Sequence, residues 1–225
     1  MLSVLAFAVA GYLLGSLPTA YLAGRWLRGI DLRRYGSGNL GGSNVDRHIS
    51  RPAGAIVAVI DGLKAALPAY FGMRLGGYSL GVAGAIGATL GHCWSLYLGF
   101  TGGRGVATTA GGLMALFPPG SLALIVAHFA GSLVHLAPVA DLALVLAMPV
   151  AAWLITHQVA LAVGCAGILL ILIVKRLEAN RLPLPQDRGE RRRVLLRRLL
   201  LDRDSPVGQE WVTRGPDSTT SARDC

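Results

Sequence analysis

From Met1 to Val174 the chain returns repeatedly to apolar runs close to the roughly 20 residues that cross a bilayer, with its polar residues gathered between them. A soluble domain of 225 residues alternates apolar and polar stretches, whereas here 53% of residues are hydrophobic and the mean hydropathy is +0.54. The pattern predicts an all-α, polytopic integral membrane protein with about seven transmembrane helices. Spans are expected at Leu2–Leu22, Ala53–Phe71, Leu75–Leu98, Val106–Phe117, Ser121–Leu136, Val139–Ile155 and His157–Val174. Val106–Phe117 is short enough for a half-helix that does not cross fully. The first run has no basic residue before it and is too long for a signal-peptide core, so it is expected to be retained.

Basic residues set the orientation. Arg25, Arg28, Arg33, Arg34, Arg47 and Arg51 lie in the first connection, Arg104 in the third, and twelve more from Lys175 onward. Only Arg74 falls on the opposite side, and Lys64 lies within a span, so the N-terminus is expected outside and the C-terminus in the cytoplasm. The net charge of +9 then reflects basic loops at an anionic membrane face, and no nucleic-acid partner is expected. Residues 1–180 form the transmembrane unit. Residues 181–225 are expected to carry a basic amphipathic helix around Arg191–Leu201, then a disordered tail from Ser205 to Cys225. Cys93, Cys165 and Cys225 have no metal-ligand spacing and argue for neither a disulfide framework nor zinc.

The first connection contains Gly36-Ser37-Gly38-Asn39-Leu40-Gly41-Gly42-Ser43-Asn44-Val45-Asp46-Arg47. Glycines let successive N–H groups turn toward one point and seat an anion. Ser37, Asn39, Ser43 and Asn44 add short polar groups, and Arg47 adds a forked cation suited to phosphate. The alternative is a flexible interhelical loop with a topogenic arginine. A second turn on the same side, Gly102-Gly103-Arg104-Gly105, opens into an apolar helix and offers a similar seat. Asp61 and Lys64, three apart in the second span, are expected to pair and face the bundle interior. His92, at the end of the third span, is a candidate base or a packing residue.

Together these segments resemble the bacterial acyl-phosphate:glycerol-3-phosphate acyltransferase family. The resemblance covers Gly15-Ser16-Leu17-Pro18-Thr19-Ala20-Tyr21, the first glycine loop through Arg47, Asp61 and Lys64, Gly91-His92, and Phe100 to Thr108, in the family's order. It implies a bacterial cell-membrane enzyme with a cytoplasmic active site and no cofactor, making lysophosphatidic acid from acyl phosphate and glycerol 3-phosphate. It also implies that Ser37, Arg47 and Arg104 act directly on substrate. Gly38, Asn39, Ser43, Asn44, Gly102, Gly103, Gly105 and Asn180 would bind it, with Asp61, Lys64 and His92 in support. Arg104 stands where the family usually has lysine. Two departures lie in the second half: Leu177 replaces a histidine three residues before Asn180, and Asp141 replaces a serine. Ser43, Gly42 and Ala65 are milder exchanges. Rival readings are a non-catalytic membrane protein binding lipid or phosphate, and a small-anion transporter using Asp61 and Lys64.

Overall fold

The structure, a computed structural model, describes residues 1–204, and the expected disordered tail from Ser205 lies outside the described residues. Among them there are helices and turns but no strand. In order they are α1 (Leu2–Gly15), α2 (Thr19–Arg28), α3 (Gly42–His48), α4 (Arg51–Cys93), α5 (Val106–Leu116), α6 (Pro118–Leu133), α7 (Ala137–Thr156), α8 (Val159–Glu178) and α9 (Arg188–Leu201). Four stretches are long and apolar enough to cross a membrane: Leu2–Arg28, Arg51–Cys93, Ala137–Thr156 and Val159–Arg181. α5 and α6 are apolar but shorter, with 11 and 16 residues.

α4 is the frame, and it has two arms. At Gly76 and Gly77 the backbone leaves the helical region, Gly77 taking φ +69° and ψ −161°, a conformation that glycine alone adopts readily. The chain doubles back there, so that Gly72 meets Leu80 and Gly84 meets Pro68 across the two arms. Residues 51–75 and 78–93 correspond to the second and third expected spans. α1 lies along the returning arm. A Cβ on Gly15 would collide with Ala88, and one on Gly91 with the Tyr12 carbonyl. Lipid gives helices no hydrophobic reason to associate, so close backbone approach of this kind holds such a pair together.

The first expected span differs in one respect, because it breaks between Gly15 and Thr19. Pro18 lacks an N–H, and inside a helix its ring would clash with the carbonyl four residues back. The break turns the Leu17 carbonyl inward, where it accepts a hydrogen bond from Lys64 Nζ.

Two apolar cores result. The larger, including Leu113, Leu116, Phe117, Leu124, Met148, Leu161 and Leu172, lies among α4 to α8. The smaller, of Ala20, Leu32, Leu40, Val45, Ala53 and Val57, sits beneath the connection from α2 to α4. Outward faces carry large apolar residues such as Ile56, Val59, Leu122, Val126, Leu146 and Val150, as lipid contact requires. The expected C-terminal helix is α9. Its start is capped by Asp187, which accepts the Glu190 N–H at 2.7 Å. Val194 and Arg198 are buried, and the helix packs on α7 and α8.

Candidate active site

The two glycine-rich loops meet at one end of the bundle. In the first, Asn44 is buried, and its Nδ2 donates to the Leu32 and Tyr35 carbonyls at 3.3 and 3.2 Å, fixing the loop to α3. The Ser37 hydroxyl accepts the Asn39 N–H at 3.3 Å. In the second, the Gly103 N–H donates to the His92 carbonyl at 3.0 Å. A side chain at Gly103 would overlap the His92 imidazole, so a close approach demands glycine there.

Asn180 joins the two loops. Its Oδ1 accepts the Gly102 N–H at 3.2 Å, and its Nδ2 donates to the carbonyls of Gly102 at 3.1 Å and Gly38 at 3.3 Å. Both amide hydrogens are thereby committed to the backbone, so Asn180 acts here as a fastener between segments far apart in sequence. The Leu40 N–H adds a link to the Gly102 carbonyl at 3.4 Å.

Behind the loops lies a buried ionic network. Lys64 Nζ donates to Asp61 Oδ1 at 2.7 Å, to the Thr19 hydroxyl at 2.9 Å and to the Leu17 carbonyl. The Thr19 hydroxyl in turn donates to Asp61 Oδ1 at 2.6 Å, and His92 Nδ1 stands 3.6 Å from the same oxygen. Side-chain exposure is 4% for Lys64 and 1% for Asp61, so each charge depends on the other. The network and the loops share a small cavity of ≈ 10 Å³, lined by Ser16, Thr19, Leu40, Lys64, His92 and Gly102 among others, with room for about one water. The expected Asp61–Lys64 pair therefore forms. Sequence reasoning missed Ser16 and Thr19, although Pro18 between them signalled the break that aims them inward.

The arginines are placed differently. Arg47 and Ser43 lie on the exposed side of α3, and Arg47 makes no hydrogen bond or ion pair among the described residues. Its neighbour His48 is held below the usual imidazole range by burial and then by the Arg47 charge. Arg104 is buried. Its Nη1 donates to the Lys175 carbonyl at 3.0 Å, and its Nε pairs with Asp202 Oδ1 at 2.7 Å. Gly105, in the left-handed region at φ +85°, caps α5 behind it.

At the departures from the family pattern, Leu177 is half-buried, and its carbonyl accepts from Arg198 at 3.1 Å. Lys175 is fully buried against Trp94 and Glu178, and Arg176 is committed to the carbonyls of Pro138 and Leu199. Asp141, also buried, has His128 Nδ1 at 3.0 Å, so the carboxylate does not lie bare.

Fold and site thus define a helical integral membrane protein whose polar groups converge on paired glycine loops at one end. The glycerol-3-phosphate acyltransferase family matches residues 5–183. Glycerol-3-phosphate acyltransferase 2 of Moorella thermoacetica is 50% identical over 110 residues, a match spanning 49% of this chain and 57% of that relative's length. Glycerol-3-phosphate acyltransferase 4 of Dehalococcoides mccartyi is 37% identical over 218 residues, or 91% of each chain. The crystal structure of PlsY (YgiH), an integral membrane glycerol 3-phosphate acyltransferase, in its glycerol 3-phosphate form superposes with a TM-score of 0.72. It is 27% identical, covering 80% of this chain and 90% of that one. The chain belongs to the glycerol-3-phosphate acyltransferase family.

Proposed function

We propose that this protein transfers a fatty acyl group from acyl phosphate to glycerol 3-phosphate, giving lysophosphatidic acid for phospholipid synthesis. Family membership supports the acceptor and the reaction, and the PlsY neighbours are a glycerol 3-phosphate form and a lysophosphatidic acid form of one fold. The observation that carries the reading is the Asn180 fastener, which brings Gly38 and Gly102 together at one site. A reaction between two phosphate-bearing substrates needs two anion seats held at a fixed separation.

Arg47 and Ser37 hold the acceptor phosphate in this reading, with Asn39, Ser43 and Asn44 shaping the first loop. Arg104 and the glycines Gly102, Gly103 and Gly105 face the second phosphate. Acyl phosphate is a mixed anhydride, already activated, so no protein nucleophile is required. The acceptor hydroxyl oxygen bonds to the acyl carbon, the bond from that carbon to the phosphate oxygen breaks, and phosphate leaves with the proton accounted for on its oxygens. The protein contributes alignment and stabilisation of the charge that builds on the leaving phosphate. The buried Asp61–Lys64–His92 network backs the loops. In this reading the chain crosses the bacterial cell membrane seven times with its N-terminus outside, so that both loops and α9 face the cytoplasm.

The test is lysophosphatidic acid formation by purified protein given glycerol 3-phosphate with acyl phosphate, acyl-CoA or acyl carrier protein in turn. Product from acyl phosphate alone is expected. Product from acyl-CoA alone would overturn the donor, and no product from any of the three would overturn the activity.

A further inference from the structure

Arg104 is the cation of the second glycine loop, and its guanidinium is already occupied by a carboxylate from the far end of the chain. Asp202 follows α9 directly, beyond the residues 5–183 over which the family matches. Its Oδ1 lies 2.7 Å from Arg104 Nε, a charge contact without hydrogen-bond alignment, with side-chain exposures of 6% for the arginine and 21% for the aspartate. Apart from this pair and the Lys175 carbonyl, Arg104 has no other acceptor among the described residues. The neighbouring cations are committed elsewhere: Lys175 to Glu178 at 3.0 Å, Arg198 to both oxygens of Asp204, and Arg176 to two carbonyls.

The carboxylate is presented by an anchored helix end. Arg198, 2% exposed, donates to the carbonyls of Leu177 and Leu182, each at 3.1 Å. Arg176 holds the Leu199 carbonyl at 2.9 Å. Asp202 itself sits in the left-handed region at φ +52° and ψ 38°, uncommon for a residue other than glycine, with its N–H donating to the Arg198 carbonyl at 3.2 Å. These contacts fix the backbone from which the Asp202 carboxylate reaches Arg104.

We propose that Asp202 is an affinity- and selectivity-setting residue of the phosphate site, a tethered carboxylate on Arg104 that an incoming phosphate must displace. The proposal rests on Arg104 as a phosphate-holding cation, as read above. A phosphate group carries about −1.5 to −2 charge at neutral pH and three strong acceptor oxygens, so it outcompetes a monoanionic carboxylate for a guanidinium. A small hydroxy acid with a single carboxylate gains no such advantage. Asp202 therefore weakens every anion at Arg104 and weakens monoanions most, screening the site in favour of phosphorylated molecules.

The probes are inorganic phosphate and glycerate, each measured by calorimetry on the purified full chain and as an inhibitor of acyl transfer. In Asp202→Asn, phosphate should bind about three- to tenfold more tightly and glycerate should gain more, a gain of tenfold corresponding to about 1.4 kcal/mol. In an Arg104→Ala background the same substitution should change neither, because Asp202 acts through Arg104. Asp202→Ser repeats the test with a second neutral side chain should the asparagine variant fail to fold. Weaker or unchanged phosphate binding in a folded neutral variant overturns the proposal, as does a gain that persists without Arg104. Absence of acyl transfer by the native chain would overturn the proposed activity alone, since calorimetry reads the Asp202 effect without turnover.

Discussion

The two glycine-rich loops hold their arginines under opposite conditions. α3 is a seven-residue helix that buries Asn44 and Val45, and Arg47, two positions beyond Val45, points outward without a partner among the described residues. Arg104 lies between Gly103 and Gly105 where the chain turns into α5, roofed by the end of α8 and the segment after α9, and it is paired. The cause is desolvation. An exposed guanidinium keeps its water and can stay free for a ligand, whereas a buried one must bring an anion with it or suffer a large loss of hydration. The same loop chemistry thus yields one open cation and one already paired.

The strongest challenge to that contrast is at its buried extreme, Lys64. Lys64→Met would leave Asp61, 1% exposed, with only the Thr19 hydroxyl and a distant His92. Removing one member of a buried pair typically costs about 3–5 kcal/mol, because the other charge stays behind. Asp61→Asn combined with Lys64→Met should recover much of that loss. Thermal unfolding in detergent reads both variants, and a single mutant that melts with the native protein would mean that water reaches the pair.

Next come the arginines themselves. Losing a charge-assisted contact costs about 1.5–3 kcal/mol, or roughly ten- to 150-fold in affinity. Arg47→Ala should raise the KM for glycerol 3-phosphate by a factor in that range with no change in melting temperature, since it breaks nothing within the protein. Arg104→Ala should lose activity and also melt lower, because Asp202 then loses the cation in contact with it. Equal melting temperatures would erase the distinction between the loops, and an unchanged KM in Arg47→Ala would remove α3 from the acceptor site.

Much of the scaffold was legible in the sequence because hydropathy acts locally. The apolar runs mark the helices, although the turn between the arms of α4 falls at Gly76-Gly77, just inside the third expected span. Spacing alone placed Asp61 and Lys64 on one face, and burial made them a pair. The glycine loops were visible for the same reason, as runs of residues with little other use between spans. What could not be seen were contacts whose partners are distant in sequence. Nothing around Asn180 announces that its amide is divided between Gly38 and Gly102, and nothing around Asp202 points to Arg104. The break at Pro18 lay between these cases. Proline signalled it, but the apolar residues on either side read as one continuous span.

The smallest effect concerns an arginine that shares the first connection with Arg47 but is already held. Arg33 Nη2 meets Asp31 Oδ2 at 2.6 Å, Asp31 Oδ1 also accepts the Arg33 N–H at 3.1 Å, and the guanidinium lies 5.2 Å from the Tyr21 ring centroid. The Arg33 hydrogen bond is the largest influence on the Asp31 carboxyl, and with the nearby positive charges it holds that group below its ordinary 3.8. A carboxyl with a depressed pKa stabilises the fold above its ordinary value, and that stabilisation is lost as pH falls through the lower folded value. Arg33 is 39% exposed, so solvent screens the pair, and together with the Arg33 N–H bond, by which Asp31 caps the short turn Leu32–Arg34, it should contribute only about 0.5–1 kcal/mol. Asp31→Asn should therefore melt slightly below the native protein at pH 7, and the difference should shrink as the pH is taken below 3.8. In Arg33→Ala the KM for glycerol 3-phosphate should not move, because an arginine pinned to Asp31 is unavailable to the acceptor. A change in KM as large as that of Arg47→Ala would show that Arg33 also meets substrate, and the division of this loop into free and pinned cations would fail.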